Sequence, residues 1–408
     1  MDTVLIVGGG PAGLFCGLQA AGVGRRIVVL EKKNACGRKL LITGTGQCNL
    51  THGGAVSEFL PHYGDHGTFL RPALMNFNNL DLIRFFADHG VRTITEPQGK
   101  VFPESRKATE VLDALLNCCR ERGVEVRCNE PVQEVRREQD GFLVRTEAST
   151  YHADSLVIAT GGASYPATGS TGDGYRIAGS LGHTIAPVAP ALAAVMVDGY
   201  PFADLSGISF AGVTISLFRD TKRVRQHTGD LLLTHHGLSG PGILDLSRHI
   251  LPGDELKVSF LPDMNRDGVA GDLNARIAAN GTRLVRTVLA EYQLPERLVR
   301  RLVEMAGIPA DMTAAHLAKE GRKHLITLLT ECPFVVKNLE GFEAAMVTRG
   351  GVDLSEVNAK TMESRLVPHL FFAGEVLDID GDTGGYNLQA AFSTGALAAK
   401  KIAAGTRR

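Results

Sequence analysis

The start of this chain restricts its fold more than any other segment. Val4-Leu5-Ile6-Val7 is an apolar, β-branched run that ends in Gly8-Gly9-Gly10-Pro11-Ala12-Gly13. Leu14, Phe15, Leu18 and Ala21 follow at helical spacing, before a second apolar run at Ile27-Val28-Val29-Leu30. Strand, glycine turn, helix and strand in that order predict a βαβ unit and hence an α/β, Rossmann-like fold with a parallel sheet covered by helices. The glycines keep the G-x-G-x-x-G spacing. Gly8 permits the tight turn, Gly10 lets backbone approach a pyrophosphate, and Gly13 lets helix and strand pack closely. Pro11 and Ala12 open the helix, whose free N–H groups attract an anion. Glu31 ends the second strand about 20 residues further on, where a carboxylate accepts hydrogen bonds from a ribose 2′-hydroxyl and disfavours a 2′-phosphate. The unit is therefore expected to bind FAD or NAD rather than NADP.

At 408 residues the chain is too long for one small binding module, and two or three domains are expected. A formal net charge of -1 supplies no overall basic field, so neither nucleic acid nor an anionic membrane is the expected partner; a small-molecule substrate is. Thr3 to Gly24 carries no charge, but it has no basic residues before it and Gly8-Gly9-Gly10-Pro11 would break a spanning helix. The 7 cysteines are odd in number and none makes a C-x-x-C pair, which points to a reduced, cytoplasmic protein. Cys48 is expected to be a buried structural thiol. No metal site is expected. His235 and His236 are adjacent on a strand and point to opposite faces, and Asp378, Asp380 and Asp382 lack the glycine and terminal glutamate of a calcium loop.

Further along, Gly37 to Gly54 is a long glycine-punctuated loop of the kind that touches ligands. Helical patterns run from Leu80 to His89 and from Glu110 to Arg122. Strand patterns follow at Val124 to Cys128, Val132 to Val135, Phe142 to Thr146 and Leu156 to Ala159, the last ending at Thr160-Gly161-Gly162. Ala186-Pro187-Val188-Ala189-Pro190 reads as a stiff extended hinge and a domain boundary. Strand signals then dominate to Leu261 and helical ones from Leu273 to Thr330. Val367 to Phe372 returns to a buried strand entering Gly374-Glu375, and Tyr386 to Ile402 is a terminal helix. Gly169 to Gly174 reverses the dinucleotide spacing and lacks a strand of its own, so no second nucleotide unit is expected.

The strand, meander and Ala159-Thr160-Gly161-Gly162 series, with the distant Ala373-Gly374-Glu375, resembles the two-dinucleotide-binding flavoproteins. More specifically, Gly37 to Thr51, Val101 to Ser105, Thr234 to Pro241, Gly374 to Gly381 and Gly384 to Gln389 resemble the BaiN/YhiN-like flavoproteins, also called the aminoacetone oxidase family, over nearly the whole chain. The sequence departs from that family in having Gln47 where arginine is usual and His52 where asparagine is common. The resemblance implies FAD as cofactor and Glu375 at the ribityl chain. The helix opened by Gly384-Gly385 would face the flavin ring with its positive end. Lys32, Val132, Gly44, Gly46 and Gly161 join the expected cofactor set. Arg38 and Lys39 are either cofactor contacts or a solvated pair, and Tyr386 and Asn387 either orient flavin or substrate or cap the helix.

It also implies a β-barrel-like substrate domain carrying a helical insert. The expected boundaries are 1–190 with 351–408 for the FAD domain, 191–270 with 331–350 for the barrel, and 271–330 for the helices. The expected activity is FAD-dependent oxidoreduction, with hydride passing between flavin and a small organic substrate, or NAD(P)H as a transient reductant, in the cleft under the inserted region. Amine oxidation and reduction of a steroid-like enone or bile-acid intermediate both fit the resemblance. The alternatives are an NAD-dependent dehydrogenase using the N-terminal site, and a flavin-bound sensor or RNA-associated scaffold.

Overall fold

A computed structural model describes residues 1–405. The chain opens with β1 (Asp2–Val7), α1 (Pro11–Ala20) and β2 (Arg25–Leu30), then adds β3 (Glu125–Arg127) and β4 (Ser155–Ile158). Barrel strands follow: β5 (Val195–Val197), β6 (Ser209–Arg219), β7 (Lys222–Leu233), β8 (Gly237–Ser239), β9 (Glu255–Ser259) and β10 (Cys332–Leu339). The chain returns with β11 (Leu370–Phe372) and the terminal helix α2 (Tyr386–Gly405). Two compact units result: Met1–Ala191 together with the chain from Phe342 onward, and Leu192–Gly341.

In the first unit a five-stranded parallel sheet has the order β11-β4-β1-β2-β3. Its apolar strands are buried on both faces, as parallel sheets covered by helices must be. The two ends of the chain meet where α1 packs on α2. Gly395 approaches so closely that a Cβ there would lie 2.6 Å from the carbonyl oxygen of Ala12. Beside this contact Phe15 meets Phe392 edge-on at 5.3 Å, both fully buried. Truncating either ring to alanine would cost about 3–5 kcal/mol. The expected meander forms from Val132–Glu138 and Gly141–Thr146, with a third strand at Thr150–Ala153.

The proline-rich stretch expected to be a hinge is instead a strand. Ile185–Ala191 pairs antiparallel with Val347–Val352, and its register shifts between Ala186 and Ala189. Pro187 falls in that irregularity, where its missing N–H breaks no ladder bond. Residues 342–350 consequently lie with the first unit rather than with the barrel.

The second unit is a closed antiparallel barrel in the order β5-β8-β7-β6-β9-β10. Helices Arg266–Ala279, Val285–Leu289, Glu296–Met305 and Lys319–Thr330 share one hydrophobic core with it, so the helical stretch builds no core of its own. Short amphipathic helices draw their stability from such packing. No helix among the described residues is long and apolar enough to cross a membrane.

Candidate functional site

A pocket in the first unit runs past the C-terminal ends of its parallel strands, touching Val7, Leu30, Ala159 and Ala373. That is where open α/β sheets bind ligands. The glycine turn forms one wall through Gly8, Gly10, Pro11 and Ala12. Gly8 has φ +114°, and a Cβ there would strike the carbonyl oxygen of Ala159 at 2.3 Å. Gly13 stands behind the wall; a Cβ on it would lie 2.0 Å from the carbonyl oxygen of Gly8, so the turn closes only without a side chain there. Gly10 is the opposite case. Nothing lies within 4 Å of its missing Cβ, which leaves open space beside the first turn of α1.

Glu31 lines the pocket and is held by backbone: Oε2 accepts from Gly9 N at 2.9 Å and Oε1 from Lys33 N at 2.8 Å. Lys32 also lines it, and its ammonium donates to Thr171 Oγ1 and Asp173 Oδ2. Thr160, Gly161 and Val132 complete that end. Gly162 lies just behind, where a Cβ would meet Thr348 Oγ1 at 2.5 Å and Glu375 Oε1 at 2.8 Å.

The far end of the chain supplies the other wall through Gly374, Glu375 and Asn387. Lys39 Nζ donates to both oxygens of Glu375, at 3.0 and 2.8 Å, which ties the long loop to the strand end. Thr348 N donates to the same carboxylate at 2.9 Å. Arg38 reaches the wall as well and donates to Asn34 Oδ1 at 3.3 Å. Asn387 clamps the preceding turn, accepting from Gly381 N and donating to Gly381 O, each at 2.8 Å. Beside this wall the Tyr175 hydroxyl is buried without a partner. Burial first, then the nearby Glu375 and Asp378, push its pKa far above the ordinary tyrosine value.

Several expected residues are not on the wall. Gly44 and Gly46 shape the long loop, which folds as an interrupted 3-10 segment over Leu40–Gly46. Gly384 and Gly385 turn the chain into α2, and a Cβ on Gly385 would collide with backbone oxygen of Thr51 at 2.4 Å. Tyr386 is buried away from the pocket, stacked between His52 at 5.0 Å and His62 at 4.1 Å. Gln47 accepts from Arg106 Nη1 at 3.3 Å, so a guanidinium lies beside the loop after all.

The sequence reading missed Glu130, Gly169, Ser170 and Asp173, all on the wall. For the last three the signal is the cluster of glycine, serine and threonine at 169–174, whose spacing reverses the dinucleotide pattern. Met346 and Val347 line the pocket with no sequence signal at all.

The remaining motifs are structural. All cysteines are free, and burial pushes the Cys48 thiol up to about 12, which removes thiolate reactivity. No cluster of three metal-ligating side chains occurs among the described residues. Asp382 meets His62 Nδ1 at 2.9 Å, and Asp378 lies 3.9 Å from His66. Burial raises the Asp378 pKa, and His66 opposes that shift.

A parallel sheet with a glycine turn, a strand-end carboxylate and a C-terminal Gly-Glu converging on one pocket defines a Rossmann-like nucleotide-binding oxidoreductase. The family model described as "HI0933-like protein Rossmann domain" matches residues 2–401, and the chain belongs to that family of FAD-binding flavoenzymes. It is 32% identical to a 3-dehydro-bile acid delta(4,6)-reductase of Clostridium scindens, over 99% of both chains. It is 33% identical to a ribosomal RNA dihydrouridine synthase of Escherichia coli, over 98% of both. The fold matches 3-ketosteroid delta1-dehydrogenase from Sterolibacterium denitrificans with a TM-score of 0.52 at 12% identity, covering 100% of each chain.

Proposed function

We propose that this chain is a reductase that adds hydrogen across a carbon–carbon double bond conjugated to a carbonyl, with FAD in the pocket of the first unit and uridine in RNA as substrate. The observation that carries the cofactor assignment is that Gly10, Glu31, Glu375 and Asn387, drawn from both ends of the chain, line one pocket. The residues suit the group: open space lies where a Cβ of Gly10 would stand, and the Glu31 carboxylate is already oriented by two backbone N–H groups. In this reading the first turn of α1 receives the pyrophosphate, Glu31 accepts the ribose hydroxyls, and Glu375, steadied by Lys39, serves the ribityl chain. Lys32, Arg38, Val132, Thr160 and Gly161 complete the wall. The N-terminus of α2 offers positive potential to an electron-rich ring. Bound FAD supplies hydride transfer between a reductant, proposed to be NAD(P)H, and an acceptor.

The substrate class follows from chemistry common to the relatives. Dihydrouridine forms when hydride adds to C6 and a proton to C5 of uracil, whose double bond is conjugated to the C4 carbonyl. A delta(4,6)-reductase acting on a 3-dehydro bile acid saturates double bonds conjugated to the 3-keto group. One hydride-donating site serves either. RNA is taken as the substrate on the similarity to two ribosomal RNA dihydrouridine synthases. The equal similarity to the bile-acid enzyme supports a second reading, a steroid enone. The free cysteines support a cytoplasmic setting.

The test is anaerobic incubation of the FAD-loaded protein with NADH or NADPH and either an unmodified ribosomal RNA transcript or a 3-keto-4,6-diene bile acid. Gain of two hydrogens on uridine, read by nucleoside mass spectrometry, is expected. Reduction of the bile acid with untouched RNA would establish the second reading. Reduction of neither would defeat the proposal.

A further inference from the structure

Although the charges of the whole chain nearly cancel, they are not evenly spread. Arg219-Asp220-Thr221-Lys222-Arg223-Val224-Arg225-Gln226-His227 crosses the turn between β6 and β7. Asp220 and Thr221 have φ of 49° and 65°, both left-handed, so the two strands are joined by a tight turn of the kind that matches strand twist. The register moves from Leu217 opposite Arg225 to Phe218 opposite Arg223, which makes Val224 the extra residue of a bulge. Lys222, Arg223 and Arg225 are exposed, and Val224 among them is 48% exposed.

The cations along this hairpin differ in their partners. Arg219, at the base, is neutralised by Asp254, with Nε–Oδ1 and Nη2–Oδ2 distances of 2.8 Å each. Beyond it, Arg223 donates to the neutral amide of Gln226 at 2.8 Å, and Arg225 Nη1 lies 2.9 Å from His249 Nε2. Lys222, Arg223 and Arg225 form no ion pair among the described residues. In the helical part of the same unit Arg276, Arg283, Arg300 and Arg301 meet carboxylates within 3 Å, while Arg286, Lys319, Arg322 and Lys323 form no ion pair among the described residues; the hairpin differs in gathering three such cations within four positions. At the hairpin, a side-chain amide and an imidazole, not carboxylates, hold the two guanidinium groups in place. A positioned guanidinium fork suits phosphate oxygens, and an exposed apolar residue between cations suits a base or sugar.

We propose that the β6–β7 hairpin tip, through Lys222, Arg223 and Arg225, is the surface on which this protein docks the phosphate backbone of its RNA substrate. The inference rests on the reading of RNA as substrate. Phosphate contacts position a nucleic acid without selecting its sequence, so the hairpin governs affinity and leaves the reduction chemistry to the pocket unit.

The FAD-loaded protein and its Lys222→Gln/Arg223→Gln/Arg225→Gln variant test this by titration of a fluorescent, unmodified ribosomal RNA transcript at several salt concentrations. The variant is expected to bind about 10- to 100-fold more weakly, with a log–log salt slope reduced by about 2. Bound FAD and melting temperature should be unchanged, and KM for RNA should rise with kcat retained. A Lys319→Gln/Lys323→Gln control, which removes positive charge from a helix of the same unit, should bind RNA like the unaltered protein. Equal affinity and slope in the hairpin variant, or equal loss in the control, would overturn the docking role while leaving the substrate reading intact. Failure of the unaltered protein to bind or reduce RNA would overturn both.

Discussion

At the pocket, Lys39 is clasped by both oxygens of Glu375, Lys32 by Asp173 and Thr171, and Glu31 by two backbone N–H groups. At the tip of the β6–β7 hairpin, Lys222, Arg223 and Arg225 stand in solvent and form no ion pair among the described residues. A charge that already has a partner cannot gain much from a second one, but its position is set, which is what a cofactor cradle needs. An unpartnered charge keeps its full attraction for a mobile polyanion. The contrast assigns orientation to the first region and capture to the second.

The largest expected effect breaks the cradle itself. Gly10 has φ -85°, so valine is tolerated by the backbone, yet its side chain enters the open space beside α1. Overpacking of this kind costs about 1–3 kcal/mol, so FAD affinity should fall by up to ~100-fold. Purified Gly10→Val should be colourless, with an unchanged far-ultraviolet circular dichroism spectrum; stoichiometric flavin in that variant would remove the pocket assignment. Glu31→Ala comes next. It deletes the ribose acceptor and strands Gly9 N and Lys33 N, and about 1.5–3 kcal/mol of FAD binding should be lost, measured by fluorescence titration. An unaltered Kd would place the ribose elsewhere.

Glu375→Ala should act more mildly, since the Lys39 ammonium, on a side chain 21% exposed, can turn to water. A double-mutant cycle with Lys39→Met should give a coupling of about 1 kcal/mol in FAD affinity, and zero coupling would mean the pair is ornamental to the cradle.

The smallest effect concerns a buried group kept neutral. The His183 ring is fully buried, with Nε2 2.9 Å from Ser364 Oγ and Nδ1 3.2 Å from Glu356. Burial lowers its pKa below the usual histidine value, outweighing the carboxylate. The folded state thus resists a proton that the unfolded chain accepts. Stability is complete above about pH 6.5 and declines as pH falls toward the depressed folded value. Melting curves from pH 7.5 to 5.5 should show a steeper loss in the unaltered protein than in His183→Gln; parallel slopes would contradict the burial argument.

The legible parts of this protein were local. Gly8, Gly10, Gly13 and Glu31 were readable because one turn, one helix and one strand set their relation. Gly374 and Glu375 were readable through family resemblance, since nothing in their own spacing places them opposite Gly10. The Pro187 stretch reads as extended and as a domain boundary, and the units divide at Ala191; that it is a strand and not a hinge shows only in its partner Val347–Val352, whose pairing contains the irregularity that admits proline. Gly169, Ser170 and Asp173 were passed over because a pocket wall needs no motif, only the right surface at the right place. The net charge of -1 likewise concealed the hairpin, because a sum over the chain discards position.

By itself the amino-acid order determined the βαβ start, the anion-seeking turn and the acid at the strand end. Backbone sterics and hydrophobic period act over a few residues and leave their record in spacing. Tertiary structure alone decided that Lys39 meets Glu375 across 336 residues, that Tyr386 turns into a histidine stack while Asn387 stays at the pocket, and that Arg219 is neutralised while its neighbours are not. Those outcomes depend on which distant side chains arrive at the same point, and convergence in space has no period along the chain.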